Sequence, residues 1–329
     1  MTHPLRSRPA RGVALVVVMA ALALIALVAA RFAQRIDDLR AQTASLRDLA
    51  EQRLQIGNAM AAALYAVSTG EVGPAGFGDR LAPAIRADDR PYTLPMGGRL
   101  QVQDERGLFA LNAPDRTSLA ALLAPAGVDA RMADQLLDVL QDYVDTDQLK
   151  RLNGAERREY EALGLPPPRD DWLISVRELN RMPLWRDLPA AVSVMERLGS
   201  TSRSAMLNAN TASAEVLAAV LPGARPEQIE LLKTLRAHLP FTTTEDVQRA
   251  TGLVLRGDAQ TPHVGPALRL TASASLGRRA LQYNIVLLPA GRDAPWLISN
   301  AQPVSRGNPK DTLDRADPFP LAVPAALKP

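Results

Sequence analysis

Cysteine is absent from this 329-residue sequence, and histidine is almost so, with His3, His238 and His263 the three present. The first absence excludes a disulfide framework, a zinc–thiolate site and a cysteine nucleophile, and it leaves an oxidising compartment without a mispairing risk. The second leaves too few imidazoles for a histidine-rich metal site or a multi-histidine acid–base apparatus. His238, just before Leu239-Pro240, reads as a helix-end residue. Neither a Gly-x-Ser-x-Gly elbow nor a His-Glu-x-x-His pair occurs, and no Gly-Lys-Ser/Thr follows the glycines at 70, 73, 76 and 78, so two hydrolase signatures and a phosphate cradle are missing. We read no enzyme here. An excess of one charge is also lacking where it would count: the net charge of +3 arises in the first twelve residues, which hold Arg6, Arg8 and Arg11 and no acid, and beyond Gly12 the bases and acids balance at 35 each. A neutral body gives no electrostatic reason to expect a nucleic-acid partner.

What the chain does have, at once, is a long apolar run. Val13 to Ala30 carries no charged or polar side chain; its 18 residues make about 27 Å of helix against roughly 30 Å of hydrocarbon. Beyond Arg31, Phe32, Ile36, Leu39, Leu46, Leu49, Leu54, Ile56, Met60 and Leu64 keep mostly helical spacings, with no Gly or Pro before Gly57, so a membrane helix running on into an amphipathic stem, 13–66, is expected. A secretory signal cleaved after Val28-Ala29-Ala30 is the competing reading. Arg31, Arg35 and Arg40 face Arg6, Arg8 and Arg11 across the run, so charge leaves the orientation open.

Four further segments follow. Gly70 to Pro95 reads as a plain loop. Within 67–112, Arg99 to Asn112 reads as a hairpin: Leu100 and Val102 alternate with polar residues, Glu105-Arg106-Gly107 turns, and Leu108 to Leu111 returns. From 113 to 262 the spacing is helical, as in Leu119, Leu122, Leu123 and again Met132, Leu136, Leu137, Leu140. A final hairpin over 263–289 pairs Ala267–Ser275 with Ala280–Leu288 around Leu276 to Arg279. The remainder, 290–329, holds seven prolines and is expected to be largely extended or disordered.

Two constellations carry chemistry. In the first, Asp145, Asp147 and Glu156 stand at positions one, three and twelve of a calcium-loop template, with Asn153 at nine and Asp142 just upstream. Leu149 and Lys150 occupy a ligand position and the sharp-turn glycine position, which excludes an ordinary EF-hand, and composition alone favours a solvated helix end. The second runs from Leu207 through Asn208-Ala-Asn210-Thr211 to Gly223, then over Ile229–Arg236 and Pro240–Val247. It looks like a helix-hairpin-helix module with Thr211 as a helix cap. Such modules hold DNA phosphate on the N–H groups of a Gly-x-Gly turn. Here the turn is Gly223-Ala224-Arg225-Pro226, which lacks the second glycine and one N–H, so DNA binding looks lost. A membrane-anchored DNA-uptake receptor built on this hairpin is the alternative function.

Taken in order, the basic leader ending in glycine, the apolar helix, Asp104-Glu-Arg-Gly-Leu-Phe-Ala-Leu-Asn112, Asp142-Tyr-Val-Asp145-Thr-Asp147 with Gly154-Ala155-Glu156, and Asn208-Ala-Asn-Thr-Ala212 resemble the protein K family of minor pseudopilins in bacterial type II secretion, up to Leu288. The resemblance implies an α+β, pilin-like fold: a long N-terminal helix on a small antiparallel sheet, with an all-α domain inserted between strands. It implies a 1–12 leader cut after Gly12 by the prepilin peptidase, with N-methylation at Val13, although relatives commonly start with Phe or Met. It implies a single-pass inner-membrane protein with a periplasmic domain that binds calcium, at Asp142, Asp145, Asp147 and Glu156. Expected partners are minor pseudopilins I and J, then H and the major pseudopilin G, and the inner-membrane secretion platform, with no nucleic acid. Val17 stands where such subunits carry a glutamate, a buried carboxylate that neutralises the terminal amine of the subunit ahead. A subunit with nothing ahead needs none, and a 150-residue insertion would crowd a helical shaft. Both point to the fibre tip, where this non-enzymatic subunit starts or caps assembly.

Overall fold

The computed structural model describes residues 11–79, 83–255, 260–275, 279–305 and 316–320. The leader expected over 1–12 therefore lies outside it as far as Ala10. Gly12 and Val13 fall in the first turn of a helix, their side chains undescribed. The chain forms two units, Met1–Leu54 and Gln55–Pro329.

The first unit is one helix, the N-terminal part of α1 (Arg11–Thr69). By length and composition it can cross a bilayer. Every large apolar side chain from Leu15 to Phe32 is exposed, Val17 among them.

In the second unit, the last turns of α1 bury Ile56, Ala59, Met60, Ala63 and Val67, a stripe at helical spacing. That stripe packs with the apolar face of a sheet. The strands are β1 (Gly76–Gly78), β2 (Pro83–Arg86), β3 (Asp88–Thr93), β4 (Arg99–Asp104), β5 (Phe109–Ala110), β6 (Gly199–Ser200), β7 (Leu207–Asn208), β8 (Gln260–Thr261), β9 (Ala267–Ser273), β10 (Arg279–Leu287), β11 (Trp296–Ser305) and β12 (Asp317–Pro318). Six of them form one sheet in the order β11-β10-β9-β4-β3-β12, antiparallel except for the parallel pair β12–β3. Because β4 and β9 are antiparallel neighbours, everything from 105 to 266 is inserted between two adjacent strands. Leu100 and Val102 of β4 and Leu268, Leu270 and Ala272 of β9 are fully buried at period two and make the apolar face, while Gln103 and Arg269 on the other face are buried as well, Arg269 against the Arg197 and Gly199 carbonyls.

The insertion holds α2 (Arg116–Leu123), α3 (Ala130–Val144), α4 (Arg157–Ala162), α5 (Pro189–Leu198), α6 (Ala214–Val220), α7 (Pro226–His238) and α8 (Thr244–Thr251). Sequence dictates the starts: Asp115, Asp129, Ser213 and Thr243 each accept a hydrogen bond from a first-turn N–H. Leu119, Leu122 and Leu123 of α2 meet Leu136, Leu137 and Leu140 of α3 in a second core. Trp185 is fully buried there, its indole N–H donating to the Leu136 carbonyl at 2.9 Å.

The closing hairpin pairs as expected, Ala280 opposite Ser273, with its turn at 276–278 outside the described residues. Three expectations fail. The first hairpin does not form: Glu105–Gly107 is a turn of 3₁₀ helix, and β5 leaves to pair in parallel with β6. Leu108 to Leu111 are all buried rather than alternating, which suits a segment enclosed by the insertion, not a strand with a wet face. The 70–95 loop contains β1, β2 and β3. Its glycines serve close approach: a Cβ on Gly76 would lie 1.9 Å from the Ile85 carbonyl oxygen. The Pro-rich tail supplies β11 and β12. Pro303 is tolerated because β11 is an edge strand.

Candidate cation site

The acidic motif straddles the end of α3. Three of its carboxylates, on Asp145, Asp147 and Glu156, bring oxygens within 4.8 Å of one another. Asp147 is fixed in part by its own turn, accepting from the Leu149 N–H at 2.7 Å. Glu156, which begins α4, is 4% exposed, and neither of its oxygens has a hydrogen-bond partner. Burial, then the charges of Asp142, Asp145, Asp170 and Asp147, push its carboxyl up to about 7. Oδ1 of Asp145 and Oδ1 of Asp170 are likewise buried without a partner. A buried anion among anions, with no donor turned toward it, is costly unless it is protonated or shares a cation. The donor set is oxygen only, which is what a hard cation such as calcium takes. The residues therefore fit the group the resemblance implies.

Asp142 does not join them. Its fully buried carboxylate accepts from the Arg151 guanidinium at 2.6 Å and from the Arg151 N–H at 3.1 Å. Gly154 leaves room for it: a Cβ there would lie 1.8 Å from Oδ2 of Asp142. Asn153, the ninth template position, gives its amide to Asp138 at 2.8 Å. Asp170 was missed in the sequence. It lies 14 positions beyond Glu156, and only the fold brings it back, through its N–H on the Tyr143 carbonyl at 3.1 Å and an ion pair with Arg157 at 3.2 Å.

The other motifs prove to be joints. Asp104, at the end of β4, is fully buried and accepts from Arg106 N–H (3.0 Å), Asn208 Nδ2 (2.9 Å), Thr211 Oγ1 (3.1 Å) and Gly265 N–H (3.1 Å). One carboxylate thus ties the exit of the sheet, the Asn-Ala-Asn-Thr segment and the return into β9. Thr211 is a tie in this network rather than a helix cap; Ser213 caps α6 instead. Asn210 bonds the Phe241 and Pro262 carbonyls and the Phe241 N–H, and Asn112 bonds Leu173 at both backbone atoms. Each asparagine closes a loop that has no strand or helix partner of its own.

Helices α6 and α7 do form a hairpin around Gly223, which adopts φ +81°. Its turn is not a phosphate cradle. The Ala224 N–H is taken by Leu221, the Arg225 N–H by Gln228, and Pro226 has none.

Two family models match the chain. One, described as type II secretion system (T2SS), protein K, covers residues 100–196, and the second, with the same description, covers 207–265. No curated protein matches. A chain in the crystal structure of the GspK-GspI-GspJ complex from the enterotoxigenic Escherichia coli type 2 secretion system is similar at 16% identity. The likeness covers 81% of this chain and 99% of that one, with a TM-score of 0.48. In chain order, the two models run from β4 through both the acidic motif and the Asn-Ala-Asn-Thr joint to the threshold of β9, and over these residues the chain is of the type II secretion system protein K family.

Proposed function

We propose that this chain is a non-enzymatic minor pseudopilin that sits at the tip of the type II secretion pseudopilus and starts or caps its assembly. The observation that carries the reading is the presence, in one polypeptide, of the protein K region at 100–265 and a single apolar N-terminal helix. A subunit of a fibre extracted from the inner membrane needs a helix that serves first as a bilayer span and then as a packing stem. Val17 removes the acidic group that would otherwise pair with a subunit ahead, and the seven-helix insertion adds bulk that a tip alone accommodates. The periplasmic domain would engage minor pseudopilins I and J first, with H and the major pseudopilin G below. The test is co-expression with I and J from the same secretion system. Co-elution of all three as one complex is the expected result, and separate elution of well-folded proteins contradicts it.

Calcium belongs to the same proposal. Asp145, Asp147 and Glu156 would hold it, and when bound it would supply the positive charge that Asp147 and Glu156 lack, sharing Asp145 with Arg151, which pairs with its Oδ2 at 2.5 Å. Their own work is to present oxygens from the end of α3 and the start of α4, so that one ion fixes both ends of the 145–156 loop. Calcium at a hundredfold excess over its dissociation constant should stabilise the fold by about 2.7 kcal/mol, roughly 5–10 °C in Tm. Glu156→Gln should remove most of that shift; an unchanged melting curve with and without chelator counts against the site. The pH dependence has a definite sign. Because the folded-state value of Glu156 lies above its ordinary 4.5, the calcium-free fold binds the extra proton and loses stability as pH rises from about 4.5 to about 7. Calcium reverses this loss, so its apparent affinity should rise over the same interval.

A further inference from the structure

A groove of about 240 Å³ opens beside the last turns of α1, between Ala62, Tyr65 and Ala66 on one side and Phe77 and Ile85 of the β1–β2 hairpin on the other. Its walls are mostly apolar, with Tyr65 and Thr69 the polar side chains among them. Interiors rarely leave apolar space of this size uncovered, so something of matching chemistry belongs there. The remaining wall identifies the occupant: it is made by Phe319 and Pro320. The segment 316–320 is firmly held. β12 pairs with β3 in register, Asp317 beside Tyr92, and the Phe319 N–H donates to the Thr93 carbonyl at 2.8 Å. The Phe319 ring is 4% exposed and meets the Tyr92 ring edge-on at 5.8 Å. Arg90 adds an ion pair to Asp317 at 3.5 Å.

The chain is thus delivered to the mouth of the groove at Pro320, and the next residues, outside those described, read Leu321-Ala-Val323-Pro-Ala-Ala-Leu327, without a polar side chain until Lys328. At about 3.3 Å per extended residue, these seven can reach roughly 23 Å beyond Pro320. We propose that this groove is a binding site for an extended apolar peptide, and that its occupant is the chain's own segment 321–327, which clamps the end of α1 to the β1–β2 hairpin. Small side chains on α1 leave the space, and Leu321 and Val323 fill it.

The absence of native cysteine makes the test clean, because the introduced thiols are the only ones present. In the full chain in detergent, Leu321→Cys and Val323→Cys should react with a maleimide at least tenfold more slowly than Lys328→Cys or Leu152→Cys, the latter at a position that is 93% exposed. The pair Ala66→Cys with Val323→Cys should oxidise to an intramolecular disulfide. Truncation after Pro320 should raise the labelling rate of Ala66→Cys about tenfold. Labelling of 321 and 323 as fast as the exposed controls overturns the proposal. So does a disulfide formed only between molecules, which would make a second copy the occupant, and so does protection of Leu81→Cys alone, which would assign the groove to the β1–β2 loop. An Ala66→Cys rate that ignores the truncation overturns it independently of how the other variants fold.

Discussion

Replacing Asp104 with alanine should lower the melting temperature of the chain by about 10–15 °C. The carboxylate is fully buried and receives four hydrogen bonds, two from backbone N–H groups and two from Asn208 and Thr211. Alanine leaves these four donors in an interior that water does not reach, and each unmet donor costs about 1–3 kcal/mol before relaxation. A net loss of about 4 kcal/mol is a large share of the 5–15 kcal/mol typical of a folded domain. The effect is not confined to one element, since the donors come from the turn after β4, from the Asn-Ala-Asn-Thr segment and from the approach to β9. Asp104→Asn should be gentler. It keeps an accepting oxygen but turns an NH₂ toward two donors. Circular dichroism melts of both variants check this, and a fall below about 3 °C for alanine would mean the joint is not what holds insertion to sheet.

Gly154→Ala is the second large effect, about 3–5 kcal/mol. The new methyl would stand 1.8 Å from Oδ2 of Asp142 and 2.5 Å from its Cγ, so the Asp142 carboxylate has to move. Asp142 must leave Arg151, and its fully buried carboxylate loses the cation that offsets its charge, while Arg151 keeps Asp145. The same substitution at Gly57 is the control. That residue lies in α1 with no atom within 4 Å of the added Cβ, so alanine there should be neutral or stabilising by up to about 1 kcal/mol. Equal Tm values for the two variants would contradict this account of the acidic motif. Loss at Gly154 combined with retention of a calcium shift would further separate the ion pair from the cation site.

The sequence revealed what local periodicity can encode. α1, the paired strands β9 and β10, and the apolar faces of α2 and α3 follow directly from 3.6- and 2-residue spacing. It revealed the acidic trio too, because Asp145, Asp147 and Glu156 are close in the chain and a template exists for that spacing. What escaped depends on contacts between distant segments. β5 pairs with a strand 90 positions away, which no local turn signal announces. β11 and β12 hide in a Pro-rich stretch because prolines are tolerated on edges, a property of the sheet and not of the segment. Asp170 comes near Glu156 only through the path of the 163–175 loop, and nothing in the neighbours of Asp142 shows that Arg151 would take its carboxylate. The Asn and Asp residues of the motifs were visible as a pattern, yet their role in satisfying orphaned backbone groups appears only when the loops they close are in place.

The account stands most directly on the mature N-terminus of the chain recovered from membranes. Mass spectrometry should find it at Val13, carrying one methyl group on the amine, with Gly12→Leu leaving the 12-residue leader attached. A chain that begins near Arg31, or that keeps its leader in the wild type while secretion proceeds, would contradict the pseudopilin reading.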